Sequence, residues 1–140
     1  MKRPCVVIDN SVVVAWALGE TSAYAEAVIA SLADVRAVAP ALWPLELANA
    51  LVMAERRGRL TQSQMLQVRD LVAALPIAIE VQPPQRILGD VLLLARAYRL
   101  TAYDAAYLDL AIGLGAALAT LDAKLREAAR SAGVALAGNP

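Results

Sequence analysis

The residues able to do chemistry in this chain are mainly carboxylates, amides and hydroxyls. Histidine is absent from the 140 residues and cysteine occurs once, as Cys5. This excludes imidazole general bases, Ser-His-Asp and Cys-His triads, histidine-based zinc sites, internal disulfides and thiolate clusters. Four acids stand out by their surroundings. Asp9 directly follows Val6-Val7-Ile8, and Asp122 follows Ala119-Thr120-Leu121. If both runs are strands, both acids lie at strand carboxyl ends, where open parallel sheets gather ligands. Asp104 shares a helical face with Leu108 and Ala111, a carboxylate on an apolar stripe. Glu46 and Asn49 share a face in the apolar run from Leu45 to Leu51, where polar groups need partners or water.

Each acid also has a plain structural role available. Asp122 is a good N-cap for a helix beginning at Ala123. Asp104 is the acidic member of a capping box opened by Thr101. Glu46 is stabilised in a first helical turn by the helix dipole. For Asp9 that explanation is weaker, because Ser11 is the better-placed cap. Asp109, about 140° round the same helix from Asp104, reads as an ordinary solvated charge.

If the four acids converge, they cannot all stay ionised without a counter-charge. A hard divalent cation provides one, and an oxygen-only donor set selects Mg²⁺ or Mn²⁺ over zinc. Such an ion suits phosphodiester chemistry: it orients the phosphate, lowers the pKa of a bound water and stabilises the leaving oxygen. Asp9 and Asp104 would ligate directly. Glu46 and Asp122 would bind a second ion or hold metal waters, and Asn10, Ser11, Asn49 and Thr101 would hydrogen-bond ligands or substrate.

The elements that must position these groups alternate. Strands are expected at Cys5 to Ile8, Arg36 to Ala39, Ile77 to Val81, Ala116 to Thr120 and Gly133 to Leu136. Helices are expected from Ser11 to Leu18, Ser22 to Leu32, Trp43 to Arg57, Thr61 to Leu75, Pro84 to Tyr98, Thr101 to Ile112 and Ala123 to Ser131. Strand–helix alternation implies crossover connections, hence an α/β fold with a mainly parallel sheet covered on both faces. The two helices between Trp43 and Leu75 form an extra helical hairpin. The length and the lack of a linker give one domain over residues 1–140.

Composition narrows the partners. The chain is 59% hydrophobic, lacks Phe and balances 13 basic against 13 acidic residues, which argues against coating nucleic acid by charge alone. Met1-Lys2-Arg3 followed by Cys5-Val6-Val7-Ile8 imitates the start of a signal peptide, but Asp9 and Asn10 end the apolar run. The longest near-apolar run, Leu110 to Leu121, is too short to span a bilayer, so a soluble cytoplasmic protein without membrane contact is expected. Arg56, Arg57 and Arg59 read first as helix-end charges. Arg96, Arg99, Lys124 and Arg126 are the better phosphate contacts. Trp16 and Trp43 read as core or subunit anchors, and Tyr103 and Tyr107 as a packed i, i+4 pair. The low charge content leaves apolar surface for an oligomer or a tightly held partner, with Ser11–Leu32 and Trp43–Leu75 as the expected contact helices.

Val7-Ile8-Asp9-Asn10-Ser11, Glu46-x-x-Asn49-Ala50-Leu51, Leu100-Thr101-Ala102-Tyr103-Asp104-Ala105-Ala106-Tyr107 and Ala119-Thr120-Leu121-Asp122-x-x-Leu125 resemble the four motifs of the PIN-domain ribonucleases, in the same order. The small size is most similar to the VapC-type toxins of toxin–antitoxin pairs. The resemblance implies a five-stranded parallel sheet sandwiched by helices and Mg²⁺- or Mn²⁺-dependent endonucleolytic cleavage of RNA. It implies catalytic and metal-binding roles for Asp9, Glu46, Asp104 and Asp122, a homodimer, and a small antitoxin whose tail covers the site. Two alternatives remain at this point: a catalytically silent PIN-like module that binds RNA or a partner, and a phosphohydrolase of another α/β family.

Overall fold

The computed structural model of the chain describes residues 4–138, so the leader-like Met1-Lys2-Arg3 lies outside the described residues. Strands β1 (Cys5–Ile8), β2 (Arg36–Pro40), β3 (Ile77–Glu80) and β4 (Ala117–Ala119) form one parallel sheet in the order β3-β2-β1-β4. Helices α1 (Asn10–Ala17), α2 (Ala23–Ser31), α3 (Trp43–Arg56), α4 (Gln62–Ala73), α5 (Pro84–Arg86), α6 (Leu92–Tyr98), α7 (Ala102–Leu114) and α8 (Ala123–Ser131) complete the α/β fold.

Why these residues make these elements is largely local. β1 is central, and Val6, Val7 and Ile8 are buried without alternation, as a parallel strand covered on both faces requires. Hydroxyl oxygens open three helices: Ser22 accepts from Ala25 N (3.1 Å), Thr61 from Gln64 N (3.1 Å) and Thr101 from Asp104 N (3.1 Å). At Thr61 the capping box is complete, Gln64 Oε1 accepting from Thr61 N in return. Pro44 falls in the first turn of α3, where its missing N–H costs nothing. Gly115, with φ of 61°, stops α7 in the left-handed region. The core is aliphatic, built from β1, Val38, Leu118, α1 and α7, with Tyr107 as its largest fully buried side chain.

Two expectations are corrected. The fifth strand, Gly133 to Leu136, reduces to a single bridge between Leu136 and Leu118, with Leu118 N donating to Ala135 O and Ala137 N to Leu118 O. Gly133 (φ 77°) turns the chain out of α8, and the segment beyond it touches the sheet edge at one rung only. The helix from Pro84 to Tyr98 is interrupted by a π-helical turn, Ile87–Val91, joining α5 to α6.

The sheet has one switch point. The chain steps from β1 outward to β2 and β3, then returns across β1 to lay β4 on its other side. The crevice beyond the carboxyl ends of β1 and β4 is therefore where such a sheet offers a ligand site.

Candidate active site

Asp9 and Asp122 flank that crevice. The Val6-to-Ala117 register carries on through Ile8 and Ala119, and Asp9 N donates to Ala119 O at 2.9 Å. Asp9 occupies the N-cap position of α1, yet its side chain makes no cap bond, and Ser11 lies inside the helix rather than at its cap. Ser11 Oγ (2.6 Å) and Thr120 Oγ1 (2.8 Å) both donate to Asp9 Oδ2. Both bonds fall on one oxygen and spare the other hydroxyl contact. Each hydroxyl is itself fixed: Ser11 Oγ accepts from Leu121 N at 3.0 Å and Thr120 Oγ1 from Asp122 N at 3.0 Å. Asp9 is only 5% exposed, and burial pushes its pKa above the usual carboxylate range against the pull of these hydroxyls.

The other acids share its field. Glu46, in the first turn of α3, is half-buried, and Tyr107 Oη donates to its Oε1 at 2.7 Å. Burial raises the Glu46 pKa; the charges of Asp9 and Asp104 raise it further. Asp104, in the first turn of α7, is raised first by burial and then by the charges of Asp9 and Asp122. Asp122 is exposed and caps α8, its Oδ1 accepting from Leu125 N at 2.8 Å. The capping role expected of Asp122 is thus real, and it occupies one of two oxygens. The four acids, 113 residues apart at the extremes, are linked through Asp104, which feels Asp9 and Asp122 and whose charge, with that of Asp9, acts on Glu46.

The remaining named residues divide. Ser11 supports Asp9, and Thr101 caps α7 beneath Asp104. Asn10 is half-buried, with Oδ1 buried and unpartnered beside Asp9 in the chain. Asn49 is exposed on α3. Among the described residues no group of three or more acidic, histidine or cysteine side chains is gathered as a ready-made metal cage.

Some readings of the sequence are overturned. Asp109 is 3% exposed and paired with Arg86, not solvated. Every residue of α7 from Ala105 to Ala111 is buried, and a helix apolar all round belongs in the interior, so a charge on it needs a partner. Tyr103 and Tyr107 are not a packed pair: Tyr103 is 64% exposed and Tyr107 is 0% exposed. Arg126 does not stand free for phosphate, because its Nε donates to Thr120 O at 2.6 Å and its guanidinium lies 4.6 Å from the Tyr24 ring centre. Sequence reasoning missed Thr120 and the Tyr107–Glu46 bond. Thr120 was visible as a polar residue at the end of an apolar strand, and Tyr107 as a neighbour of Asp104 at i+3.

The PIN domain family model matches residues 6–131. Ribonuclease VapC3 of Pyrobaculum aerophilum is 31% identical over 123 residues, covering 87% of this chain and 92% of that protein. The crystal structure of PAE2754 from Pyrobaculum aerophilum superposes with a TM-score of 0.69 at 26% identity, covering 89% of this chain and 84% of that one.

Proposed function

We propose that this chain, which belongs to the PIN-domain family, is a Mg²⁺- or Mn²⁺-dependent endoribonuclease and the toxin of a toxin–antitoxin pair. The observation that carries the reading is the shared field of Asp9, Glu46, Asp104 and Asp122 at the sheet's switch point. The relative named Ribonuclease VapC3 supports a VapC-type nuclease.

The donor set fits a hard cation. It is oxygen-only, burial holds the Asp9, Glu46 and Asp104 carboxyls above their ordinary pKa with repulsion from neighbouring acids adding to it at Glu46 and Asp104, and Lys124 is the basic group acting on Asp104. Mg²⁺ is commonly held by one or two carboxylates, with waters and substrate phosphate filling the rest, so a cage of three protein ligands is not required. Asp9 and Asp104 would hold the ion, with Glu46 and Asp122 binding a second ion or its waters. The bound ion would supply an activated water and neutralise charge at the scissile phosphate. The chain's own residues do the aiming. Ser11 and Thr120 fix Asp9 through Oδ2, and Tyr107 fixes Glu46 through Oε1. Asn10, Asn49 and Thr101 complete the polar surround, and the exposed Lys124, Arg96 and Arg99 are the cations available to RNA phosphates.

Partners follow from surface and charge. The surface is 8017 Å², against roughly 7,000 Å² for a typical folded monomer of this mass. Leu45, Val52, Leu66 and Leu71 are exposed on the α3–α4 hairpin, and Leu88, Leu92, Leu93 and Ile112 around α6 and α7. A homodimer and an antitoxin are the proposed occupants of these faces. No helix among the described residues is long and apolar enough to cross a membrane. Work in the cytoplasm suits an RNA substrate and the lone thiol of Cys5.

The test is cleavage of a mixed RNA substrate by the purified chain. Cutting is expected with Mg²⁺ or Mn²⁺, stops in EDTA, and is lost in Asp9→Asn. Failure of the wild type to cut RNA, or full activity of Asp9→Asn, overturns the reading.

A further inference from the structure

Behind the acids, on the far side of α7, lies a second polar cluster that the nuclease reading does not use. Asp109 is two residues beyond Tyr107, about 200° round the helix, so the two side chains leave α7 on nearly opposite sides. Asp109 Oδ2 accepts from Arg86 Nε at 2.7 Å and from Gln82 Nε2 at 2.9 Å. The same two side chains also grip the helix backbone: Gln82 Nε2 donates to Ala106 O at 2.9 Å and Arg86 donates to Asp109 O at 3.2 Å. Gln82 and Arg86 flank Pro83-Pro84, whose fixed φ angles make a stiff strap, and the π-helical turn begins directly after Arg86.

The guanidinium lies across α7 in space that a side chain at residue 113 would share. A Cβ at Gly113 would sit 2.1 Å from an Arg86 terminal nitrogen. Gly113 is inside the helix with ordinary backbone angles, and glycine there costs about 1 kcal/mol relative to alanine. That cost has a physical reason if the space is reserved for Arg86. In the core, α7 packs Tyr107, Leu108 and Leu110 among the small Ala105, Ala106 and Ala111, and the Arg86 seat adds a polar contact that a slightly rotated helix would lose.

We infer that Arg86, seated on Asp109 over Gly113, is a positioning residue that sets the rotation of α7 and thereby aims Tyr107 at Glu46 and Asp104 at Asp9. A buried ion pair is weak evidence for stability but a well-attested device for fixing one arrangement among several of similar packing. The inference rests on the nuclease reading for its catalytic consequence, and on that alone.

The experiment compares Gly113→Ala, Arg86→Met and the double variant in the full chain. The first arm is thermal unfolding without metal. In the Arg86→Met background, Gly113→Ala should raise Tm, as helix propensity dictates; in the wild-type background it should lower Tm by displacing the guanidinium. Equal shifts in both backgrounds overturn the clamp whatever the protein's activity. The second arm is Mn²⁺ affinity and RNA cleavage. Each single variant should bind Mn²⁺ about tenfold more weakly and lose about tenfold in kcat with KM unchanged, and the double variant should be no worse than Arg86→Met. Wild-type Mn²⁺ affinity and kcat in a folded Arg86→Met protein overturn the positioning role. A wild type that cuts no RNA overturns the nuclease reading and leaves the unfolding arm to decide the clamp.

Discussion

Replacing Tyr107 by Phe removes one hydroxyl from the centre of the molecule and changes little else. Phe fills the same fully buried space, so no cavity term arises. The change deletes the 2.7 Å bond to Glu46 Oε1. Donated to an ionised carboxylate, such a bond is worth about 1.5–3 kcal/mol. Taking about 2 kcal/mol, a domain of this size loses about 6–10 °C in Tm at neutral pH. The bond favours the charged form of Glu46 against burial and repulsion, so its removal raises the Glu46 pKa further. The sign follows from linkage. The charge-assisted part of the bond is present above the Glu46 pKa and is lost as pH falls through it, leaving a neutral bond worth about 1 kcal/mol. The Tm difference between wild type and Tyr107→Phe should therefore shrink on acidification, and the acid limb of the pH–rate profile should move to higher pH in the variant. With Glu46 free to swing, kcat should fall about 10- to 100-fold with KM near wild type. The assay is calorimetry over a pH series beside RNA cleavage in Mn²⁺. A pH-independent Tm difference together with wild-type kcat would refute the assignment of Tyr107 as the group that holds Glu46.

Other consequences are open to the same methods. Asp104→Asn should abolish cleavage yet unfold at the same or higher temperature at neutral pH, because the folded state raises this carboxyl's pKa and ionisation therefore opposes folding; a large fall in Tm would contradict the shared acidic field. Mg²⁺ or Mn²⁺ at millimolar concentration should raise the wild-type Tm at neutral pH and leave Asp104→Asn nearly unmoved, as read by scanning fluorimetry with and without EDTA. Thr120→Val removes one of the two hydroxyls on Asp9 Oδ2 and should lower kcat about tenfold in a folded protein, and a fully active variant would show that Ser11 alone suffices.

Much of the architecture was legible because its signals are local. Buried β-branched runs marked β1, and capping oxygens at Ser22, Thr61 and Thr101 marked helix starts. The four acids were legible through their contexts at strand ends and helix first turns. The features that escaped are set by tertiary packing. Whether Asp109 is solvated depends on a strap 23 residues away, and whether Tyr107 packs or donates depends on α3, 61 residues away. The terminal strand failed for a related reason. Its β-forming residues are real, but Gly133 leaves them only one rung of contact with β4. The exposed apolar faces were half legible: the α3–α4 hairpin does expose leucines, while the patch on α6 was unmarked because its leucines follow a helical spacing that also suits a core.

The bond from Thr120 to Asp9 spans 111 residues. Thr120 must therefore leave the ribosome before the first acid acquires its full support, and β4 before it can pair with β1. Nascent chains and truncated products that stop short of Thr120 lack the assembled centre, so the chemistry proposed for it would begin only after that strand end has been made and folded onto β1.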